Sequence, residues 1–125
     1  MNENQMLHSE LSRQIVGAAM TVLNELKPGL DEKAYENALV IELTRSGLRV
    51  EQQRRFEVRY RGMLVDTMVP DLLVNESVIV DPKVAEDFSA THISQMIGYL
   101  AITKLRLALL LNFKHADLRW RRVVR

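Results

Sequence analysis

Residues 69–83 read VPDLLVNESVIVDPK. Two apolar runs rich in β-branched side chains flank a polar pair at positions 75–76, which is the pattern of a β-hairpin. This apolar background contains Asp71, Asp81 and Lys83, and charged groups are rarely buried unless they are paired or bind a metal. Asp81 and Lys83 are two positions apart on a strand, so they point to the same face, and the hairpin brings Asp71 onto the neighbouring strand. The stretch therefore predicts two carboxylates and an ammonium on one patch of sheet, which suits a divalent cation.

Length and composition predict one domain spanning residues 1–125. The chain is 47% hydrophobic and 26% charged, as in a soluble globular protein with a substantial core. It has no cysteine, which excludes disulfides, thiolate catalysis and thiolate zinc sites and fits a reducing cytoplasm. No signal sequence or bilayer-spanning apolar run is evident, so we expect a cytoplasmic location and no membrane partner. The net charge of +1 means that any polyanion site must be a local patch.

Hydrophobic periodicity predicts an α/β domain with helices packed on a mixed sheet. Helices are expected at about residues 8–26, 30–46 and 92–103, the last with Thr91 as its N-cap. A strand or strand pair is expected over residues 48–61, followed by strands at about 63–69, in the two central runs, at 105–113 and at 118–124. The resulting order is ααββββαββ.

The apolar faces of the helices follow from three- and four-residue spacing. In the second helix, Ala34, Ala38 and Ile41 mark the expected inner face, with Leu39 and Leu43 beside it. In the third helix the expected inner face consists of Ile93, Met96, Ile97, Leu100 and Ala101.

Three motifs in order resemble a known family. Pro70-Asp71 followed ten residues later by Asp81-Pro82-Lys83 fits the PD-(D/E)XK signature of the restriction-endonuclease-like nucleases. Residues 29–35 read G-x-x-E-x-x-Y, and residues 92–99 contain a His, a Gln and a Tyr on one helix. Over nearly its whole length the chain resembles the bacterial GxxExxY family, a compact branch of that superfamily.

The resemblance implies an αβββαβ core and a nuclease site on the sheet. Its cofactor would be Mg²⁺ or Mn²⁺, its reaction phosphodiester hydrolysis, and its substrate DNA more readily than RNA. Endonuclease and exonuclease action both stay open. Apart from the resemblance, the small size of the domain predicts that it would need to form a homodimer to cut both strands of a duplex. Carried over by position, the resemblance assigns metal ligation to Asp71 and Asp81, with the Pro82 carbonyl as a further ligand, catalysis to Lys83, and supporting places to Glu32, a further potential metal ligand, and Gln95.

Two features depart from the family pattern. Asp81 stands where the family usually has glutamate, so its arm is one methylene shorter. Pro82 removes a ladder N–H and predicts an irregular strand, although it keeps the carbonyl that would face the metal. These departures leave open a catalytically inactive module that binds nucleic acid or a protein partner with the nuclease fold.

Each candidate residue also has a plainer interpretation. Asp71 can be a turn aspartate, Asp81 and Lys83 a simple ion pair, and Glu32 a favourable charge at a helix start. Gln95 can be a solvated helix residue, while Tyr35 and His92 are expected to serve structure. Arginines occur in two groups that either contact phosphate or form solvated strand faces: Arg54, Arg55, Arg59 and Arg61, and Arg119, Arg121, Arg122 and Arg125.

Overall fold

The computed structural model describes residues 7–125, which form three helices and seven strands. No helix in that range is long and apolar enough to cross a membrane. The elements in chain order are α1 (Ser9–Leu26), α2 (Glu32–Arg45), β1 (Val50–Gln52), β2 (Phe56–Tyr60), β3 (Met63–Met68), β4 (Leu72–Val74), β5 (Val78–Lys83), α3 (Ala90–Thr103), β6 (Leu107–Asn112) and β7 (Arg119–Val124).

The predicted order of elements is confirmed, with one strand added. The segment 48–61 forms β1 and β2 as separate strands, so five strands rather than four lie between α2 and α3. Gln53 has a φ of 59°, in the left-handed region that interrupts an extended strand. Of the two expected alternatives, a single strand or a strand pair, the segment therefore forms the strand pair.

Five strands form one mixed sheet in the order β1-β4-β5-β6-β7. β5 lies at its centre, antiparallel to β4 and parallel to β6, while β1 and β7 form antiparallel edges. The β5–β6 connection contains α3, as parallel neighbours require. The central hairpin forms as predicted, with its turn at Asn75 and Glu76, whose φ values are both positive.

Two apolar layers cover the sheet. On one face, the side chains of Leu72 and Val74 in β4 and of Val78 and Val80 in β5 pack with α1 and α2. Leu73 and Ile79, on the opposite face, pack with Met96 and Leu100 of α3. The strict alternation in β4 and β5 therefore decides which side chains face α3, and this face carries the charged residues of the hairpin.

The expected inner faces of two helices need correction. In α2 the buried apolar residues are Tyr35, Leu39 and Leu43, whereas Ile41 is 60% exposed. The larger side chains bury more apolar area than the alanine face would, so they take the interior position. In α3, Met96 and Leu100 are buried, but Ile97 and Ala101 face outward because the helix contacts the sheet through a narrower stripe than its apolar composition suggests.

The start of α3 also differs from expectation. Its N-cap is Ser89 rather than Thr91. The Ser89 hydroxyl accepts from the His92 backbone N–H at 3.1 Å, and the His92 Nδ1 accepts from the Ser89 backbone N–H at 3.1 Å. This reciprocal capping box satisfies two otherwise unpaired donors. It also confirms that His92 serves structure.

The strand irregularity expected at Pro82 is absent. β5 continues through Pro82, which is paired in register with Leu111 of β6. The Lys83 carbonyl accepts from the Phe113 N–H on the β6 side at 2.9 Å, so the backbone groups of Pro82 point to the β4 side. The β4 ladder ends at Val80, and the next residues across would be Asp71 and then Pro70. At this position β5 makes no ladder hydrogen bond to β4, so the missing N–H of Pro82 costs the sheet no hydrogen bond.

Candidate functional site

Strand register places the two candidate carboxylates side by side. Leu72 pairs with Val80, so Asp71 lies directly opposite Asp81 one step further along. Residues opposite one another in an antiparallel pair point to the same face of the sheet. That face is the one covered by α3, because Asp71 and Asp81 alternate with Leu72 and Val80, which point the other way.

Asp81 is a buried carboxyl with incomplete pairing. It is 3% exposed, and its Oδ2 lies 3.3 Å from the Lys83 Nζ. Its Oδ1 is fully buried and has no hydrogen-bond partner among the described residues. The pKa of Asp81 is raised to about 8, chiefly by burial and then by hydrogen bonding with and the charge of Asp71, while Lys83 opposes the rise. In its ionised form, the buried Asp81 beside a second carboxylate would therefore lack sufficient positive charge.

This arrangement fits a hard divalent cation. Mg²⁺ takes oxygen ligands and commonly binds through one or two carboxylates while keeping several waters. Asp71 and the unpartnered Asp81 Oδ1 supply two such oxygens, and the Pro82 carbonyl points to the β4 side of β5, beyond the end of the ladder. No cluster of three or more His, Cys, Asp or Glu side chains suited to a metal occurs within residues 7–125. The oxygens that could hold a cation here are therefore limited to two carboxylates and one backbone carbonyl.

Lys83 lies at the end of β5, on the same face as Asp81. Its side chain is mostly buried but retains access to solvent, and its ammonium lies beside the Asp81 carboxyl. The strand fixes this position because Lys83 is paired in register with Asn112. Asn112 in turn binds the backbone of Ala85 through both its amide oxygen and its amide nitrogen, which anchors the loop that follows Lys83.

Glu32 approaches the same region from the first turn of α2. Its Oε2 accepts from the backbone N–H of Val84 at 3.0 Å, directly after Lys83. The side chain is exposed and is not grouped with Asp71 and Asp81 in a three-residue cluster among residues 7–125. Glu32 therefore fixes the end of β5 through this hydrogen bond to Val84.

Gln95 binds a tyrosine that lies near the carboxyl pair. Its Nε2 donates to the Tyr99 hydroxyl at 3.1 Å. Burial raises the pKa of Tyr99, and the charges of Asp81 and Asp71 raise it further. The Tyr99 hydroxyl thus lies within the electrostatic field of the site, with Gln95 as its partner on the solvent side.

Glu36 and Gln53 belong to this region and were not among the predicted residues. Glu36 is 4% exposed, and its Oε2 accepts from Lys33, Gln52 and Gln53 at 3.1, 2.6 and 3.0 Å. Gln53 also contacts the Asp71 Oδ1 at 3.4 Å and donates its backbone N–H to the Asp71 carbonyl at 2.9 Å. A continuous polar network therefore connects α2 to Asp71.

The sequence carried a signal for one of these two residues. Glu36 follows Glu32 by one helical turn and lies beside the apolar positions Tyr35 and Leu39, so it is a charge within a buried stripe. Gln53 had no such signal. Its place depends on the break between β1 and β2 and on the pairing of β1 with β4.

Tyr35 supports the site from below, as predicted for a structural residue. It is fully buried, and its ring stacks on Phe113 with centroids 4.8 Å apart. Its hydroxyl donates to the Lys27 carbonyl at 2.7 Å and accepts from the Leu30 N–H at 3.1 Å. These bonds fix the turn before α2 and thereby the start of the helix that carries Glu32.

The two arginine groups have different surroundings. Arg54 lies between Glu51 and Glu76 at 3.3 and 3.8 Å, and Arg59 pairs with Glu57. Arg61 covers the Tyr60 ring, and Arg55 is exposed. In the other group, Arg122 donates to Ser12 and to the Leu7 carbonyl, which ties α1 to β7.

Comparisons with known proteins concern the family and the fold of the chain. Residues 9–123 match the family model of the PD-(D/E)XK nuclease superfamily. The crystal structure of SSO0001 is similar at a TM-score of 0.52 and 13% identity, over 99% of this chain and 68% of that one, and shares its fold. An alkaline exonuclease from Laribacter hongkongensis aligns at a TM-score of 0.49 and 12% identity, over 91% of this chain and 82% of that one. Among curated proteins, none matches.

Proposed function

Because the chain belongs to the PD-(D/E)XK nuclease superfamily, we propose that it is a metal-dependent nuclease that hydrolyses phosphodiester bonds in DNA in preference to RNA. We further propose that it belongs to the GxxExxY branch. The contacts of Glu32 with Val84, and of Tyr35 with the turn at Lys27, support this narrower assignment because they give both motif residues a function in holding the site.

The observation that carries the proposal is the unpaired Oδ1 of Asp81. A buried carboxylate oxygen without a donor is costly, and a cation shared with Asp71 would remove that cost. An ion-pair interpretation explains only Oδ2, which lies near the Lys83 ammonium. A purely structural pair would not require a second carboxylate beside the first.

Each residue then has a defined task. Asp71, Asp81 and the Pro82 carbonyl would hold Mg²⁺ or Mn²⁺. When bound, the cation would act as a Lewis acid on a phosphoryl oxygen and favour activation of water. Lys83 would orient the attacking water and offset negative charge on the phosphoryl group as it develops. Glu32 would keep the end of β5 in position, and Gln95 would orient the Tyr99 hydroxyl.

Cleavage assays with matched variants test the proposal. Plasmid, DNA oligonucleotides and RNA oligonucleotides are incubated with Mg²⁺ or Mn²⁺ and with wild type, Asp81→Asn or Lys83→Met. Lys104→Met is the matched control, because Lys104 is exposed and precedes β6 at the end of the sheet opposite Lys83. We expect cleavage by wild type and the control only, faster on DNA. Equal cleavage by all four proteins would point to a contaminant and contradict the assignment.

One observation favours a second candidate, an inactive module that binds nucleic acid or a protein partner. The pKa of Asp81 is raised to about 8, so Asp81 can hold a proton at neutral pH, and Lys83 lies 3.3 Å from it. The buried carboxyl then needs no cation. An Mn²⁺ binding isotherm separates the two functions. Binding that Asp71→Ala abolishes supports the nuclease, and nucleic-acid binding without Mn²⁺ affinity supports the inactive module. Sedimentation equilibrium of the protein with a DNA duplex tests the homodimer that cleavage of both strands would require.

A further inference from the structure

β2 and β3 form a ribbon that stands apart from the main sheet. The two strands pair only with each other, as a two-stranded sheet joined by a turn at Arg61 and Gly62. At its base, Phe56 packs against the apolar cluster around α3. An isolated two-stranded ribbon is marginally stable in water, so strand pairing alone contributes little stability to its outer part. We call this segment, residues 56–68, the β-ribbon.

The outer part of the β-ribbon exposes large apolar side chains. Tyr60 is 64% and Met63 is 70% exposed, and Leu64 and Val65 are each more than half exposed. Single exposed apolar residues are ordinary, but four within six positions at the end of a projecting hairpin form a patch. Such a patch indicates a contact surface.

The register arranges the apolar residues into a stripe. Phe56 pairs with Met68 at the base, and Tyr60 pairs with Met63 at the tip. Residues 56, 58 and 60 share one face of β2, so apolar side chains line that face from the core to the tip, interrupted by Asp66 opposite Val58. Leu64 lies opposite Arg59 on the other face. A bulge between Val58 and Arg59 shifts the register, which leaves Val65 as an additional exposed residue on the partner strand.

The β-ribbon itself balances two arginines against two carboxylates, and two further arginines directly precede it. Arg54 is paired with Glu51 and Glu76 and Arg59 with Glu57, so Arg61 at the tip and the exposed Arg55 supply positive charge that no carboxylate among the described residues pairs with. Arg61 lies over the Tyr60 ring at 5.5 Å from its centroid and donates to the Tyr60 hydroxyl at 3.3 Å. The tip therefore presents an aromatic ring and a guanidinium together. Stacking on aromatic rings with cationic support is how many proteins hold single-stranded bases.

The β-ribbon is directly continuous with the candidate metal site. β3 ends at Met68, and only two residues separate it from Asp71. A six-residue strand is about 20 Å long at the usual rise per residue, so the tip extends over that distance from the base. A nucleic acid with its scissile phosphate at Asp71 would then have bases several nucleotides away within reach of the tip. A protein partner would have no comparable link to this site.

We propose that the β-ribbon binds the nucleic-acid substrate beyond the scissile phosphate, with Tyr60 and Met63 against base faces exposed at a duplex end or single-stranded junction and Arg61 against phosphate. This rests on the proposed function in one respect only, that the ligand is a nucleic acid. Apolar side chains inserted against bases and arginines on the backbone are complementary to such a ligand.

Binding in EDTA separates this proposal from the cleavage activity. Fluorescence anisotropy measures the affinity of the full chain for labelled single strands, blunt duplexes and duplexes with a single-stranded overhang. The test variant is Tyr60→Ser/Met63→Ser. The matched control is Ile41→Ser, because Ile41 is 60% exposed on α2, outside the β-ribbon. We expect the double variant to bind the overhang substrate about tenfold more weakly, and the control to bind it within twofold of wild type.

Further measurements cover the other outcomes. Arg61→Gln should reduce the slope of log affinity against log salt by about one, as the loss of one phosphate contact predicts. Unchanged affinity in the double variant, or no wild-type affinity for any of the three oligonucleotides, would overturn the proposal. A wild-type dimer that becomes monomeric in the double variant, with unchanged nucleic-acid affinity, would assign the tip to self-association instead. β-ribbon-dependent binding without metal-dependent cleavage would support this proposal while contradicting the nuclease assignment.

Discussion

Replacing Asp81 with asparagine should flatten the dependence of stability on pH in the metal-free protein. The folded state raises the pKa of Asp81 from 3.8 to about 8, chiefly through burial. Between those values the folded chain holds a proton that the unfolded chain has lost. The free energy of unfolding therefore falls as pH rises through this window, and the stabilisation from the neutral form is fully lost only above about pH 8.

The magnitude follows from one proton. Each pH unit costs about 1.4 kcal/mol while one proton is taken up on folding, so wild type should lose about 3 kcal/mol between pH 5 and pH 7 relative to Asp81→Asn. Asparagine cannot ionise and is nearly the same size, so it retains the neutral form at every pH. The variant should exceed wild type in stability by a margin that widens with pH.

Urea unfolding in EDTA at pH 5, 6, 7 and 8 measures this difference. Asp117→Asn is the control, because Asp117 is an exposed aspartate in the β6–β7 connection, and it should follow wild type at each pH. A constant difference between Asp81→Asn and wild type from pH 5 to pH 8 would refute the reasoning. It would mean that Asp81 stays ionised in the folded chain, with Lys83 outweighing burial and the neighbouring carboxyl.

Four other outcomes follow from the same contacts. Mn²⁺ at 100 times its dissociation constant should stabilise wild type by about 2.7 kcal/mol, and Asp71→Ala should remove that gain in a thermal melt at pH 8. Lys83→Met should slow cleavage by about 100-fold or more while oligonucleotide affinity in EDTA changes less than twofold; a large loss of binding would contradict a catalytic function. Glu36→Gln should weaken Mn²⁺ binding about tenfold, by calorimetry, because Glu36 orients Gln53 and thereby Asp71; an unchanged isotherm would exclude that positioning. Tyr35→Phe should lower the free energy of unfolding by about 1 kcal/mol in urea, because it leaves the partly buried backbone groups of the preceding turn without the tyrosine hydroxyl; an equal stability would show that water replaces the hydroxyl.

The features predicted from sequence are those that neighbouring residues decide. The alternation within residues 69–83 sets a hairpin, and a hairpin with its turn at Asn75 and Glu76 sets Asp71 opposite Asp81. Lys83 follows because side chains two apart on a strand share a face. Helix start and end points likewise depend on nearby prolines, glycines and caps, and they were correct to within about two residues for all three helices.

The tertiary structure decided everything that depends on which faces pack. Ile41 and Ile97 are outward because the sheet accepts only a narrow stripe from each helix, and apolar spacing does not rank two competing stripes. The sheet also determines that Pro82 does not interrupt β5. The β4 ladder ends before Pro82, so its missing N–H removes no hydrogen bond.

Most of the environment of the carboxyl pair depends on tertiary structure. The link from Glu36 through Gln53 to Asp71 joins segments 17 and 18 residues apart, and the pKa of Tyr99 is raised first by burial and then by the charges of Asp81 and Asp71, which precede α3 in the chain. The sequence alone thus determined that Asp71, Asp81 and Lys83 lie together at one end of the hairpin, because strand periodicity is local. Burial, the unpaired Asp81 oxygen and the exposed β-ribbon depend on long-range packing, which no local pattern encodes.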